Sequence, residues 1–496
     1  MKIKKEIIFI KSSFKKRIKK INCKLVYSKL INIIYLKNIN KNLLIFLCII
    51  LLIIKSYRIT PLNTIELNEN YLQLQSDLNL KFDNKINNKI RIGIYYRSIK
   101  NGGVERLTAL LLNYLDKIKI FDTYLLTQLF KEENEYKIPD NTKRIVIKTG
   151  KKKDLLKKLK REKIDILIYH FYNTYEINML NNFKKIKTIF YNHSCFLIWI
   201  YAEIYNYFKT IYNAYKNSKY LISLVPFEND YLFKKWGINS ILMNNFIPYE
   251  YNNIIPSTLT SKIILMIGRG SDKMKRYELG IQSMKYIIKK IPDCEMRIIS
   301  DMKSTDYLKN MINNLKLENN IKLVGYTSIP EIYFKNASLH IFPTISESFG
   351  FVLSETKIYG IPSILAGLDY VSIAKGGTII IYDDKPQTIA NEAIKILNSD
   401  NYRKRLGKEA RLSMKKFNND LLLKKWTKLI LSIYNGDIYY QNLREQDFKI
   451  SDNKALNILN NQIKLLKLRK SQFKNITIKN IVNFTFMENL NKDYKS

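Results

Sequence analysis

Glu347 and Glu355 stand eight positions apart within Leu339–Pro362 (LHIFPTISESFGFVLSETKIYGIP), the stretch of this chain best suited to chemistry. Leu339–Phe342 is an apolar, strand-like run ended by Pro343, and Thr344–Ser348 is polar and turn-like. A helix-compatible pattern begins near Ser348–Gly350 and runs to Tyr359, where Gly360 and Pro362 stop it. The amides of Ser348, Phe349 and Gly350 would then lie at a helix N-terminus. Unpaired N–H groups and the positive end of the helix dipole make such a place ready for phosphate. A carboxylate one or two turns on is placed to accept hydrogen bonds from sugar hydroxyls, so the spacing suggests a nucleotide-sugar site. Glutamates at strand–helix junctions also occur without a ligand, and Glu347 alone would favour the dipole.

Three other loops carry candidate groups. Gly268–Arg276 reads GRGSDKMKR, with Arg269 just after an apolar run and Lys275 six residues later, near a helix start. Two cations there would neutralise a diphosphate. Lysine is abundant in the chain, and Lys273 and Arg276 compete with Lys275 for the role. His193 lies in Asn-His-Ser at the end of an apolar run, a position open to either a catalytic or a structural part. Cys195 has no base or cation beside it in the sequence and reads as structural. Gly102-Gly103 is a turn that would also let a phosphate or sugar approach the backbone closely.

These loops must be held by something, and the surrounding pattern says what. Ile90–Tyr95 is a buried-strand run, followed by the glycine turn and an amphipathic helix over Val104–Leu115. Strand-like runs recur at 121–126, 144–148, 164–169, 187–191, 220–225 and 241–243. Residues 244–261 hold Pro248 and Pro256 with little periodicity and read as a linker. A second series begins at 262–267, with strands at 295–299, 321–324, 339–342, 363–365 and 378–382. Helical patterns lie between them, at 278–290, 306–315, 331–336, 351–359 and 385–398. Such alternation implies α/β architecture with parallel sheets covered on both faces, and ligands of such sheets bind at the strands' carboxyl ends. The expected organisation is a basic tail over 1–41, a membrane anchor over 42–57, a stem over 58–87, an N-terminal Rossmann-like domain over 88–250, a C-terminal Rossmann-like domain over 262–434 and a polar extension over 435–496.

The chain has 496 residues and a formal net charge of +41. Lys, Asn, Ile and Tyr are over-used together, a set that A/T-rich codons explain better than selection for a basic surface. A real anionic partner is the competing reading, but no zinc-finger spacing or RNA-binding signature accompanies the charge, so nucleic acid is not the expected partner. Four dispersed cysteines and three histidines indicate neither a metal knuckle nor a disulfide framework. Residues 1–41 hold 13 Lys/Arg and one acid, Glu6, ahead of the apolar run Leu43–Ile54. That run is shorter than the ~20 residues of a comfortable span, yet its basic leader and polar sequel favour a membrane over a packed soluble helix. The N-terminus would then be cytoplasmic, with the compartment open.

GGVER at 102–106, NHS at 192–194, GRGSDKMK at 268–275 and ESFGFVLSE at 347–355 occur in that order. With them the chain resembles retaining glycosyltransferase family 4 (glycosyl transferases group 1), of the GT-B fold, over about residues 88–400. The resemblance implies two doubly wound Rossmann-like domains facing across a cleft, the one over 88–250 on the acceptor side and the one over 262–434 binding the nucleotide sugar. It implies that Glu355 binds the ribose of a nucleotide sugar and Glu347 sits by the donor sugar. Arg269 and Lys275 would hold the diphosphate, Phe349 and Gly350 would supply backbone contacts, and His193 would lie beside the transferred sugar. It also implies retention of anomeric configuration, no cofactor and no metal, and a glycan, lipid-linked or protein acceptor. The chain contains no Asp-x-Asp. Asn244-Asn245 stands where the family often has Asn-Gly, and only Asp369 offers an acid around residues 366–370.

Overall fold

A computed structural model of the chain describes residues 89–100, 102–148, 152–170, 174–194, 214–270, 272–301, 306–327, 329–436 and 452–472. The basic tail, the apolar run Leu43–Ile54, the stem and Cys195 lie outside the described residues. Among the described residues no helix is long and apolar enough to cross a membrane.

Two parallel sheets organise the described chain. In the first, β1 (Ile90–Tyr96), β2 (Phe121–Thr127), β3 (Lys143–Val146), β4 (Ile166–Tyr169), β5 (Lys187–Tyr191), β6 (Tyr220–Ser223) and β7 (Ile241–Leu242) lie in the order β3-β2-β1-β4-β5-β6-β7. In the second, β8 (Ile263–Ile267), β9 (Glu295–Ile299), β10 (Ile321–Leu323), β11 (Leu339–Phe342), β12 (Ser363–Ala366) and β13 (Thr378–Ile381) lie in the order β10-β9-β8-β11-β12-β13. Both follow the doubly wound scheme, in which the strand order reverses beside the first strand of the sheet. Inner strands such as β4 (ILIY) and β8 (IILMI) are continuous apolar runs, as parallel strands covered on both faces require, whereas the edge strands β3 (KRIV) and β10 (IKL) carry exposed lysines. Residues 166–169 and 339–342 are buried throughout.

Helices α1 (Gly103–Leu115), α2 (Lys152–Arg161), α3 (Thr174–Asn182) and α4 (Pro226–Trp236) belong to the first half. Helices α5 (Tyr277–Ile287), α6 (Asp306–Asn314), α7 (Glu331–Phe334), α8 (Phe351–Ile358), α9 (Pro386–Asn398) and α10 (Asp400–Ser413) belong to the second. The core of the second half packs Ile264, Met266, Met296, Ile341 and Ile364 of the sheet against Ile281, Met284, Ile389 and Ile396 of α5 and α9.

Two features depart from the organisation expected of the sequence. Helix α11 (Asn419–Asn435), grouped above with the second domain, packs on the first. Asn419 donates to the Tyr114 hydroxyl at 2.7 Å and to the Ile247 carbonyl at 2.9 Å, while Trp426, fully buried, lies 5.6 Å from the Tyr191 ring. The polar extension contains α12 (Asp452–Gln472), which docks on the second domain. Arg469 is buried and its Nε donates to Asp384 at 2.6 Å, and Asp384 also pairs with the buried Arg276. Gln462 donates to the Gly367 carbonyl at 2.6 Å. Its buried face runs Ala455, Ile458, Gln462, Leu465 and Arg469, and the two polar members interrupt the apolar period that a sequence reading relies on.

Candidate functional site

The switch points of the two sheets lie where β1 neighbours β4 and where β8 neighbours β11. The loops leaving those strands carry most of the residues singled out above.

On the second domain, Asp272 caps a single 3-10 turn at Lys273–Lys275, accepting from the Met274 amide at 3.0 Å. The turn presents Lys275 to Glu347, with Nζ 2.6 Å from Oε1. The two loops are stitched together by the Ile345 amide, which donates to the Met274 carbonyl at 2.9 Å. The Glu347 amide in turn donates to the Tyr370 hydroxyl at 3.2 Å. Of the competing cations, Lys273 is exposed and Arg276 is consumed by Asp384, so Lys275 is the one that meets Glu347. Arg269 is 64% exposed and touches only the edge of Asp272, at 3.3 Å, which leaves its guanidinium largely in solvent.

Gly350 precedes α8 with φ +83°, a left-handed conformation that glycine adopts without strain. Phe349 is buried, packing edge-on to Phe351 and Phe417, and so anchors this corner by its ring. Glu355 follows one turn into α8 and is nearly inaccessible. Burial pushes its carboxyl above the ordinary carboxylate range; Arg106 pulls it back, and Glu331 adds to the rise.

The first domain comes to meet this corner. The Ser348 hydroxyl donates to the His193 carbonyl at 2.6 Å. A Cβ on Gly103 would lie 3.4 Å from the Phe351 ring, so the glycine turn passes directly against the start of α8. A Cβ on Gly102 would fall 1.9 Å from a Glu105 carboxylate oxygen, which folds back over the helix start. Burial raises the Glu105 carboxyl, and the charges of Arg269 and Arg97 oppose the rise, so Arg269 faces the glycine turn electrostatically. Arg106, from the first turn of α1, bonds directly to Glu355.

His193 and His170 lie with ring centroids 4.8 Å apart, and the Nε2 of each is buried without a hydrogen-bond partner. The Thr108 hydroxyl donates to the Val104 carbonyl at 2.8 Å, so its contact of 3.2 Å with His170 Nδ1 requires Nδ1 to carry the proton. His170 Nε2 is therefore a bare acceptor. Burial drives His170 down to about 3 and His193 well below the ordinary histidine range, so both rings are neutral.

All nine sequence-derived candidates thus lie on loops or helix starts at the carboxyl ends of the two sheets. Two expectations change in detail. Asp369 is tied to Tyr382 at 3.0 Å and to Asn461 and Gln462 of α12 at 3.1 and 3.3 Å, which makes it a docking group for the extension. Arg106 lies within the GGVER pattern, which by itself assigns it no role. Its partner is 249 residues away, a separation no local pattern encodes. Among the described residues no group of three or more His, Cys, Asp or Glu could hold a metal ion.

Two doubly wound parallel sheets with their loops converging in this manner define an α/β protein of GT-B fold. Residues 250–413 match the family profile of glycosyl transferases group 1, which places that segment with the group. An uncharacterised glycosyltransferase of Methanocaldococcus jannaschii is 24% identical over 247 residues, covering 50% of this chain and 52% of the relative. The poly(ribitol-phosphate) alpha-N-acetylglucosaminyltransferase of Staphylococcus aureus is 24% identical over 200 residues, covering 39% of this chain and 40% of that enzyme. The chain thus spans about half the length of the curated relatives it matches. Among solved structures, the sucrose-phosphate synthase of Thermosynechococcus elongatus superposes with a TM-score of 0.61 at 14% identity, over 70% of this chain and 100% of that one. HepE of Anabaena, solved with UDP and glucose, gives 0.56 at 12% identity over 69% and 100%.

Proposed function

We propose that this protein is a glycosyltransferase that moves a sugar from a nucleotide-sugar donor to a glycan, lipid-linked or protein acceptor, retaining anomeric configuration and needing no metal ion. The observation that carries the reading is the corner at α8, where Glu347 pairs with Lys275 ahead of the helix and Glu355 pairs with Arg106 one turn into it. In this reading Glu355 accepts from the ribose hydroxyls and Glu347 lies by the donor sugar. Lys275, Arg269 and the amides entering α8 stabilise charge as it develops on the leaving diphosphate, which is electrostatic catalysis by groups already in place. Phe349 and Gly350 shape that amide corner. Neutral His193 lies by the transferred sugar, and the departing phosphate can take the acceptor's proton, so no protein base is required. The Gly102-Gly103 turn gives donor and acceptor close approach to the backbone. In the same proposal Leu43–Ile54 anchors the enzyme in a membrane with its basic N-terminus in the cytoplasm, following the positive-inside rule.

The test is a donor screen with the full-length chain and a panel of nucleotide sugars, detecting released nucleotide and glycosylated product. One donor is expected to turn over, unaffected by EDTA. Glu355→Ala and Lys275→Ala should each lower kcat/KM by roughly 10²–10³-fold with the fold intact by circular dichroism. Full activity in both variants would show that the site lies elsewhere. Donor turnover without an acceptor product would favour a sugar epimerase or phosphorylase of the same fold.

A further inference from the structure

Glu355 is the most deeply buried carboxylate of the proposed donor site, and among the described residues one cation bonds to it. That cation, Arg106, comes from the other domain. Its guanidinium also lies 6.0 Å from the Tyr136 ring centroid and 5.8 Å from that of Tyr249, so two aromatic faces hold it in place. The groups around Glu355 are Arg106 on α1, Tyr136 on the loop after β2, Tyr249 on the linker, Glu331 on α7 and Tyr359 just past α8. Arg106 is the only positive charge among them; Glu331 opposes the ionised form.

We propose that Arg106 is a positioning residue for nucleotide recognition: from the N-terminal domain it fixes the orientation of the Glu355 carboxylate and balances its charge, so that the second carboxylate oxygen is held ready for ribose hydroxyls. This rests on the reading of Glu355 as the ribose ligand. The physical case is that an ionised carboxylate removed from water is costly unless paired. Without Arg106 the carboxyl would be raised further, and protonation would turn one of its acceptor sites into an O–H donor. A protonated Glu355 would also present a donor where a ribose hydroxyl expects an acceptor. The pair further makes ribose recognition depend on contact between the two domains, since neither half supplies both partners.

The experiment is isothermal titration of the full-length chain with UDP, GDP and ADP, followed by the 2′-deoxy form of whichever binds, between about pH 5.5 and 8.5. The wild type should prefer the ribonucleotide. Arg106→Met should weaken it at least about tenfold, erase the ribose preference and move the acid-side loss of affinity to higher pH. Removing the cation raises the carboxyl further, and the charged form is needed for binding. Arg106→Lys, which keeps the charge without the planar fork, should restore the pH profile and part of the affinity. In Glu355→Gln the further change to Met at 106 should cost little, because the two act as one unit. If Glu355→Gln loses the ribose preference while Arg106→Met keeps it with an unchanged pH profile, Arg106 has no such role. If Glu355→Gln itself binds normally, or none of the three nucleotides binds the wild type, the ribose-site reading fails and the proposal with it.

Discussion

His193 and Glu355 show how the same burial has opposite consequences for two groups. Burial holds the histidine neutral, and His170, 4.8 Å away, pushes it further down. It raises the carboxyl, but there an arginine opposes the shift. A ring held neutral cannot act as a cation toward a diphosphate, and in the proposed reaction that task falls to Lys275 and Arg269. The expected pH–rate profile therefore has no limb near the ordinary histidine value of ~6.5, while His193→Ala still lowers turnover. A limb near that pH that vanishes in His193→Ala would show that the ring titrates in use. Lys275 and Glu347 illustrate a further point of residue chemistry. They neutralise each other at 2.6 Å, so an incoming diphosphate would compete for the lysine and leave Glu347 free to face the sugar.

Among the elements, α12 braces the second domain from outside its α/β alternation. Arg469 reaches Asp384 beneath the site, and Asp384 also holds Arg276, the residue that follows Lys275. Arg276 has φ +52°, a left-handed conformation that costs energy for a side chain and needs support from its surroundings. Burial raises the Asp384 carboxyl, and the two arginines more than reverse this, leaving it below the ordinary carboxylate range. A depressed folded value contributes stability that is fully present above the unfolded carboxylate pKa and lost as pH falls through the folded one. Asp384→Asn should therefore cost roughly 3–5 kcal/mol near neutral pH, with a gap to the wild type that narrows in acid. Urea titrations followed by circular dichroism at two pH values measure it; an equal gap at both would remove the charge from the explanation.

At the scale of the molecule, the chain returns to its starting domain through α11. Trp426 is fully buried, and Lys187 Nζ donates to the Tyr434 carbonyl at 2.5 Å from the other side. Asn419 joins Tyr114 of α1 to Ile247 of the linker. The helix is thus a clasp that ties the end of the second half back onto the first. Trp426→Ala should cost about 3–5 kcal/mol by emptying a packed site. It should lower the urea midpoint of the first domain more than that of the second, as read by hydrogen exchange in strands β5 and β8. Equal loss in both strands would mean the two halves unfold as one unit.

The sequence by itself determined both sheets. Each of the thirteen strands among the described residues lies within a residue or two of a strand-like run legible without a structure: inner strands such as β4 and β8 are apolar along their length because both faces are buried, while the edge strands β3 and β10 carry exposed lysines. It also determined the loops that matter, since a strand end, a turn residue and a helix start follow one another within ten residues. Helices α3 and α4 were not legible, because each carries only a weak apolar face. The +41 charge drew attention to the surface, yet the charges that organise the site are buried pairs. What only the tertiary structure decided was which charged group meets which: Arg106 with Glu355, Lys275 rather than its neighbours with Glu347, and Asp369 and Asp384 with α12. Periodicity is a local record of which face is buried. A salt bridge between residues 249 apart leaves no period, and exists only once two sheets and the linker between them have set its distance.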